Sequence, residues 1–385
     1  MTAEAIRVMR LSVLGSVSIL PLLILPTMVG ALVDHAAFTE SEAGWVAAVG
    51  AMGSALAAIV IGLRIRHLDP RTIAIVGLIM LALCDAASAL VGRMPAWSFL
   101  ALRALSGLGG AAAYAAVMAS IAAMPNPERG YGAFMVFQFA LSALGLYGLP
   151  FVLPDIGLSG MYLGLSAAAL LALSQTPSVI RRAARAEDPS IEIHMLLRPA
   201  ALLAMLGIGL YETANNMHFT YAERIGVSFS LSGQRIGEIL GIATVLGIPA
   251  AFGVVWLGDR FGRLVPLIAA VFVSVCSLAL LLNWSGTAVY VAAMCALSVA
   301  WAFGLPYFQA FEARLDPGGS VVVAGGFFTA VGGALGPALA ATVVSPDDYA
   351  IVLAVAIAIY FVVACLMSAA SRRVRAPAGD VASVS

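Results

Sequence analysis

With 385 residues, 62% of them hydrophobic and 10% charged, no net charge and a mean hydropathy of +1.01, this chain is too apolar for a soluble domain, which runs nearer ~45–50% apolar and ~25% charged. A spanning helix needs ~20 apolar residues, so the length allows about a dozen spans and little else. The zero balance excludes a charge-driven nucleic-acid partner, and Cys84, Cys276, Cys295 and Cys365 lie in apolar runs as small core residues, forming neither a disulfide nor a metal framework.

The first apolar run follows Arg7 and Arg10 and resembles a signal peptide in its flanks. It is longer than a ~7–15-residue signal core, and similar runs follow, so it reads as the first span. Apolar runs and charged or turn-rich breaks predict twelve spans: 8–33, 43–63, 71–92, 96–123, 129–152, 158–179, 198–222, 235–257, 264–283, 286–312, 319–344 and 348–370. The longest connection, with Arg181, Arg182, Arg185, Glu187, Asp188 and Pro189, separates six spans from six. It divides residues 1–180 from 198–371 by a linker at 181–197, leaving a polar tail at 372–385.

Every basic residue is arginine, as high-GC coding bias produces. With the N-terminus inside, sixteen arginines fall in cytoplasmic segments, while the outer loops hold Arg93, Arg224 and Arg235 beside the acids Asp34, Glu40, Glu42, Asp155, Asp347 and Asp348. This positive-inside bias predicts two cytoplasmic termini.

Two connections carry related patterns. Gly253-Val-Val-Trp-Leu-Gly-Asp-Arg-Phe-Gly-Arg263 joins spans eight and nine, and Gly62-Leu-Arg-Ile-Arg-His-Leu-Asp-Pro-Arg71 joins spans two and three. Glycine permits a tight turn, an acid suits a helix N-terminus, and arginine anchors the cytoplasmic face. The second-half loop resembles the signature loop of the major facilitator superfamily. Leu102-Arg-Ala-Leu-Ser-Gly107 in span four is similar to a second motif of that superfamily. The first-half loop departs from the pattern, with Arg66 where Asp259 stands in the second.

The resemblance covers nearly the whole chain. It implies an all-α membrane protein, two six-helix bundles related by pseudo-two-fold symmetry, working by alternating access around a central cavity. It also implies gating roles for Gly62, Arg66, Asp69, Arg71, Asp259, Arg260, Gly262 and Arg263. The plainer alternative is a loop that only sets topology.

Within span four, Arg103, Gly107, Gly110 and Tyr114 recur at helical spacing, so the glycines allow a neighbour to approach Arg103. A buried arginine is costly in a bilayer and is a functional candidate. Asp85 on span three lies at a matching depth, so an Asp85–Arg103 pair is expected, either static or coupled to protons and substrate. Span seven is polar at its centre. His218, Tyr211, Asn215, Phe219, Glu212 and Asn216 share one arc, with Glu212 near mid-membrane as the leading proton carrier. A permanently protonated, hydrogen-bonded Glu212 is the alternative. Arg103, Tyr114, Tyr211, Asn215, Asn216, His218 and Phe219 are the candidate substrate contacts. Pro21, Pro26, Gly304 and Pro306 are expected to interrupt spans one and ten, and Asp34, Glu238 and Arg235 to be rim charges.

No phosphate-binding lysine motif, metal-ligand cluster or nucleophile elbow is present. The expectation is therefore a monomeric, cofactor-free secondary transporter in a bacterial inner membrane, no enzyme, with lipid, protons and a small organic solute as its partners. Rings and an unpaired arginine would suit an organic anion. Proton-antiport efflux of a drug or metabolite is the second reading, although span five lacks the glycine–proline register of the family's antiporters. A non-transporting sensor, which would be expected to carry a soluble signalling domain, is the third.

Overall fold

The computed structural model describes residues 3–64, 68–181, 193–316 and 319–375. Fifteen α-helices and two short 3-10 turns account for almost all of them, and no strand forms among the described residues. The first pass is α1 (Ala3–Ser18), α2 (Leu20–Leu23) and α3 (Leu25–Ala36). It breaks at Ile19 and Ile24, with ψ of 13° and 19°, each two residues ahead of a proline. Proline lacks an N–H and crowds the preceding turn, so Pro21 and Pro26 interrupt this pass as expected.

Next come α4 (Glu40–Arg64), α5 (Pro70–Ser88), α6 (Ala96–Ala122) and α7 (Pro127–Ala172). α7 is two helices meeting at Gly157, whose φ of 65° is open to glycine at little cost. Before that point Ser142 donates to the Leu23 carbonyl of the first pass. After it, Ser159 and Ser166 donate to the carbonyls of Ala89 and Ala82, and Arg71 takes those of Pro177 and Val179. The chain therefore retraces α5 in reverse, and α7 makes two passes.

The remainder is α8 (Ile193–Leu196), α9 (Pro199–Thr220), α10 (Ala222–Ser228), α11 (Gly233–Leu257), α12 (Leu264–Asn283), α13 (Thr287–Leu315), α14 (Ser320–Val343) and α15 (Ala350–Arg375). Nine of the described helices are long and apolar enough to cross a membrane. The broken first pass and the polar α9 are not among them, and α7 counts once for two passes, which fits the twelve expected spans. Several ends differ from expectation by a few residues, α1 starting at Ala3 and α5 ending at Ser88 among them. α13 runs through Gly304 and Pro306 without a break, and α15 extends five residues past position 370. Arg66, residues 182–192 of the linker and residues 376–385 of the tail lie outside the described residues.

Small residues set the closest packing. A Cβ on Gly107 would strike the Gly50 carbonyl of α4, and one on Gly110 the Ser18 carbonyl of α1. In the later helices Gly332 and Gly336 of α14 similarly meet the Gly209 and Thr213 carbonyls of α9. With little hydrophobic drive between helices in lipid, such backbone approach supplies the packing contact. Large apolar side chains such as Val255, Trp256 and Leu171 face outward, as a lipid-facing surface requires.

Candidate substrate cavity

A cavity of about 250 Å³ lies between the early and late helices. From α9 it receives Glu212, Asn215, Asn216, His218 and Phe219; α7 adds Gln138, Phe139 and Ser142; α13 adds Ser298 and Trp301. Glu212 is buried and both its oxygens are held by neutral donors. Trp301 Nε1 donates to Oε1 at 3.0 Å, and Asn216 Nδ2 donates to Oε2 at 3.3 Å. His218 is buried with Nε2 unpartnered among the described residues. Phe139 and Trp301 meet edge to face at 6.3 Å in the cavity lining.

Five of the six arc residues predicted on span seven thus line one space. Tyr211 does not: its hydroxyl donates to the Ala300 carbonyl at 3.2 Å and its ring packs on Phe308 and Tyr360. In angle Tyr211 lies between His218 and Asn215, but it is one turn before Asn215 along α9, at a level where Phe308 of α13 and Tyr360 of α15 close that face. Gln138 and Trp301 were not singled out in the sequence. Gln138 was findable, because it is a lone amide in an apolar span. Trp301 carried no signal until α13 was placed against α9.

Asp85 and Arg103 form the expected pair, with Arg103 Nη2 2.7 Å from Asp85 Oδ1 and both side chains buried. Ser106 also donates to that oxygen, and Arg103 Nη2 lies 2.6 Å from Ser88 Oγ. The Arg103 guanidinium stacks over Tyr162 at 4.7 Å and lies 5.8 Å from the Phe99 ring centre. Arg103 borders a smaller void of about 50 Å³, lined by the early helices. The predicted face of span four is shared among different neighbours. Gly107 meets α4, Gly110 meets α1, and Tyr114 stacks edge-on against Phe134 of α7, away from the cavity.

A membrane bundle with a central polar cavity has many possible relatives, and sequence comparison narrows them. The family model for the Major Facilitator Superfamily matches residues 11–341. The chain belongs to this superfamily. Solved superfamily structures share its fold. A point mutant of the nucleoside transporter NupG superposes with a TM-score of 0.79 at 13% identity, over 94% of this chain and 99% of the other. NupG itself gives 0.70 at 11%, over 95% and 99%. A bacterial homologue of the human drug peptide transporters PepT1 and PepT2 gives 0.70 at 11%, over 97% and 98%. No curated protein sequence matches. The chain is a multi-pass membrane protein and a secondary transporter, and it is not an enzyme.

The superfamily's loop residues lie at the arginine-rich end. Gly258 and Gly262 take φ of 53° and 67°, which explains glycine at both turns of Asp259–Arg263. Asp259 does not sit on a helix N-terminus: its carboxylate pairs with Arg263 at 3.2 Å, and Arg263 also reaches the Ala310 carbonyl. Arg260 stacks on Trp256 at 5.3 Å. The helix-start role falls to Asp69 in the other loop. It caps α5 by accepting from the Thr72 hydroxyl and the Arg71 amide, and the Thr72 bond holds its carboxyl below the usual carboxylate range. Arg71 clamps the Pro177 and Val179 carbonyls. Gly62 lies two residues before the end of α4, and Arg66 lies outside the described residues.

The acidic end is built differently. Arg224, expected in an exposed loop, is buried and bonds Glu223 through Nε at 2.6 Å and Asp34 through Nη1 and Nη2 at 2.9 and 2.7 Å. Tyr221 donates to the Glu40 carbonyl and Ser41 to that of Ala341, both at 2.7 Å. Each links a helix before residue 65 to one after residue 198. Asp34 is therefore a tie between the two sets of helices, while Arg235 and Glu238 pair with each other at the exposed rim.

Proposed function

We propose that this chain is a proton-coupled carrier of a small neutral or cationic solute in a bacterial inner membrane. The observation that carries the solute class is the cavity lining of amides, hydroxyls, an imidazole, aromatic rings and one carboxyl, with no arginine. An anion was expected on the strength of an unpaired arginine, and Arg103 is paired with Asp85 outside the cavity. Amides beside rings suit a flat, hydrogen-bonding solute.

Glu212 is the proton carrier in this reading, since it faces the cavity with neutral donors and no cation. The arginine-rich end is cytoplasmic, with both termini there. Residues 1–180 and 198–371 act as two bundles of a monomer, joined by the 181–197 linker, and open alternately at the two ends. Cross-bundle bonds at the acidic end support an inward-facing conformation.

The test is thermal-shift screening of purified protein in lipid nanodiscs with neutral, cationic and anionic metabolites and drugs at two pH values. Nucleosides and peptides, the cargoes named for the structural neighbours, belong in the set. Neutral or cationic compounds should stabilise the protein, and Asn216→Ala should lower that response about tenfold, the cost of one lost hydrogen bond. Stabilisation by anions alone, lost in Arg103→Gln, overturns the proposed solute class.

A further inference from the structure

One buried acid has no part in the cavity. Glu312 lies three residues before the end of α13, at the arginine-rich end, with 1% of its surface exposed. Neither of its carboxyl oxygens has a hydrogen-bond partner among the described residues. The carboxyl rests on Gly325 of α14, where an added Cβ would overlap both oxygens. The absent side chain at Gly325 is what makes its room.

Among the described residues no ion pair or hydrogen bond reaches this carboxyl. α9 between Pro199 and Gly207 and α14 between Ser320 and Phe328 carry no titratable side chain. On α13 itself Arg314 is exposed, and Asp316 Oδ2 takes the Val321 amide. Arg372 and Arg373 on α15 are exposed, and Arg263 is engaged by Asp259 and the Ala310 carbonyl. A carboxylate buried without donors or a cation is far more costly than the neutral acid.

We propose that Glu312 is a second proton-binding site of this transporter, separate from the cavity. It holds a proton in this conformation and releases it to water at the arginine-rich end when α14 moves off α13. The site lies close to the helix end, where Ala313 and Arg314 are exposed. The released proton passes to that water, and the carboxylate left behind is solvated where it stands. The conformational step rests on the transport reading above; the proton on Glu312 does not.

Infrared spectroscopy of the full chain in nanodiscs at neutral pH tests this directly, by the C=O stretch of protonated carboxyls. Glu312→Gln should remove one such band that Glu212→Gln leaves in place. An unchanged protonated-carboxyl signal in a folded Glu312→Gln protein overturns the proposal. Gly325→Ala, with Glu312 retained, provides the second arm should the glutamine variant not fold. By crowding the carboxyl it should shift the Glu312 band and speed its deuterium exchange about tenfold; an unshifted band with unchanged exchange also overturns the proposal. A protein that keeps this band yet transports nothing would sink the transport reading and leave the proton site standing.

Discussion

The two ends of this molecule are held by the same kinds of residue used in opposite ways. At the acidic end Arg224 is buried and joins Asp34 to Glu223, so its bonds cross from early to late helices. At the arginine-rich end Arg71 reaches Pro177 and Val179, and Arg263 reaches Asp259 and Ala310, each within its own set of helices. Glycine packing follows suit. Gly237, Gly241 and Gly247 of α11 press on Leu146, Ala143 and Phe139 of α7, whereas Gly253, nearer the arginine-rich end, has open space around it. An arginine that crosses between rigid groups resists their separation; one that stays within a group only stiffens it. Number of arginines and strength of closure are therefore different things.

The largest way to break this contrast is Arg224→Met. It strands Glu223 in a buried site, and losing one partner of a buried pair costs about 3 kcal/mol. The expected outcome is a lower unfolding midpoint together with greater labelling of cysteines placed at the acidic end. Unchanged labelling would show that this cluster is no latch. The matching control within the early helices is Asp85→Asn, also about 3 kcal/mol because Arg103 is left buried. It should lower stability without moving the labelling pattern. Adding Arg103→Leu should restore most of the stability, and full transport by that double variant would exclude a coupling role for the pair.

Gly44→Val comes next, since a Cβ there meets the Tyr221 hydroxyl and Ala341 across the same seam. Overpacking of this kind costs about 1–3 kcal/mol, and distance measurements by spin labels should register the acidic end wedged apart. Gly258→Ala should cost about 1 kcal/mol, because its positive φ leaves the cost to the backbone alone. Arg263→Ala sharpens the comparison from the weak side. Its exposed pair with Asp259 is worth under ~1 kcal/mol, so thermal unfolding should scarcely change, and a large loss would mean that this end too is latched.

Fold and site were legible to different degrees. Apolar run length identified a polytopic bundle, and Asp259–Arg263 with Arg103 and Gly107 identified the superfamily, because loop glycines and buried charges are tied to local geometry. Depth along neighbouring spans was enough to pair Asp85 with Arg103. Periodicity was enough to gather Glu212, Asn215, Asn216, His218 and Phe219, yet it misassigned Tyr211, whose neighbours come from α13 and α15. Glu312 and Arg224 lay at span ends, where sequence alone reads a charge as solvated.

Span length, the breaks at Pro21 and Pro26, the arginine bias and the polar face of α9 are all readable along one dimension, from the chain alone. Span length and the proline breaks follow from backbone hydrogen bonding in lipid, the polar face from helical spacing, and the arginine bias from the positive-inside rule, and each acts locally. Which polar groups share a space is settled by helix packing. Trp301 on Glu212, Asp34 on Arg224 and Gly325 under Glu312 join residues far apart in the chain. Such contacts depend on which helices lie side by side, and helix adjacency leaves no trace in the periodicity of either partner.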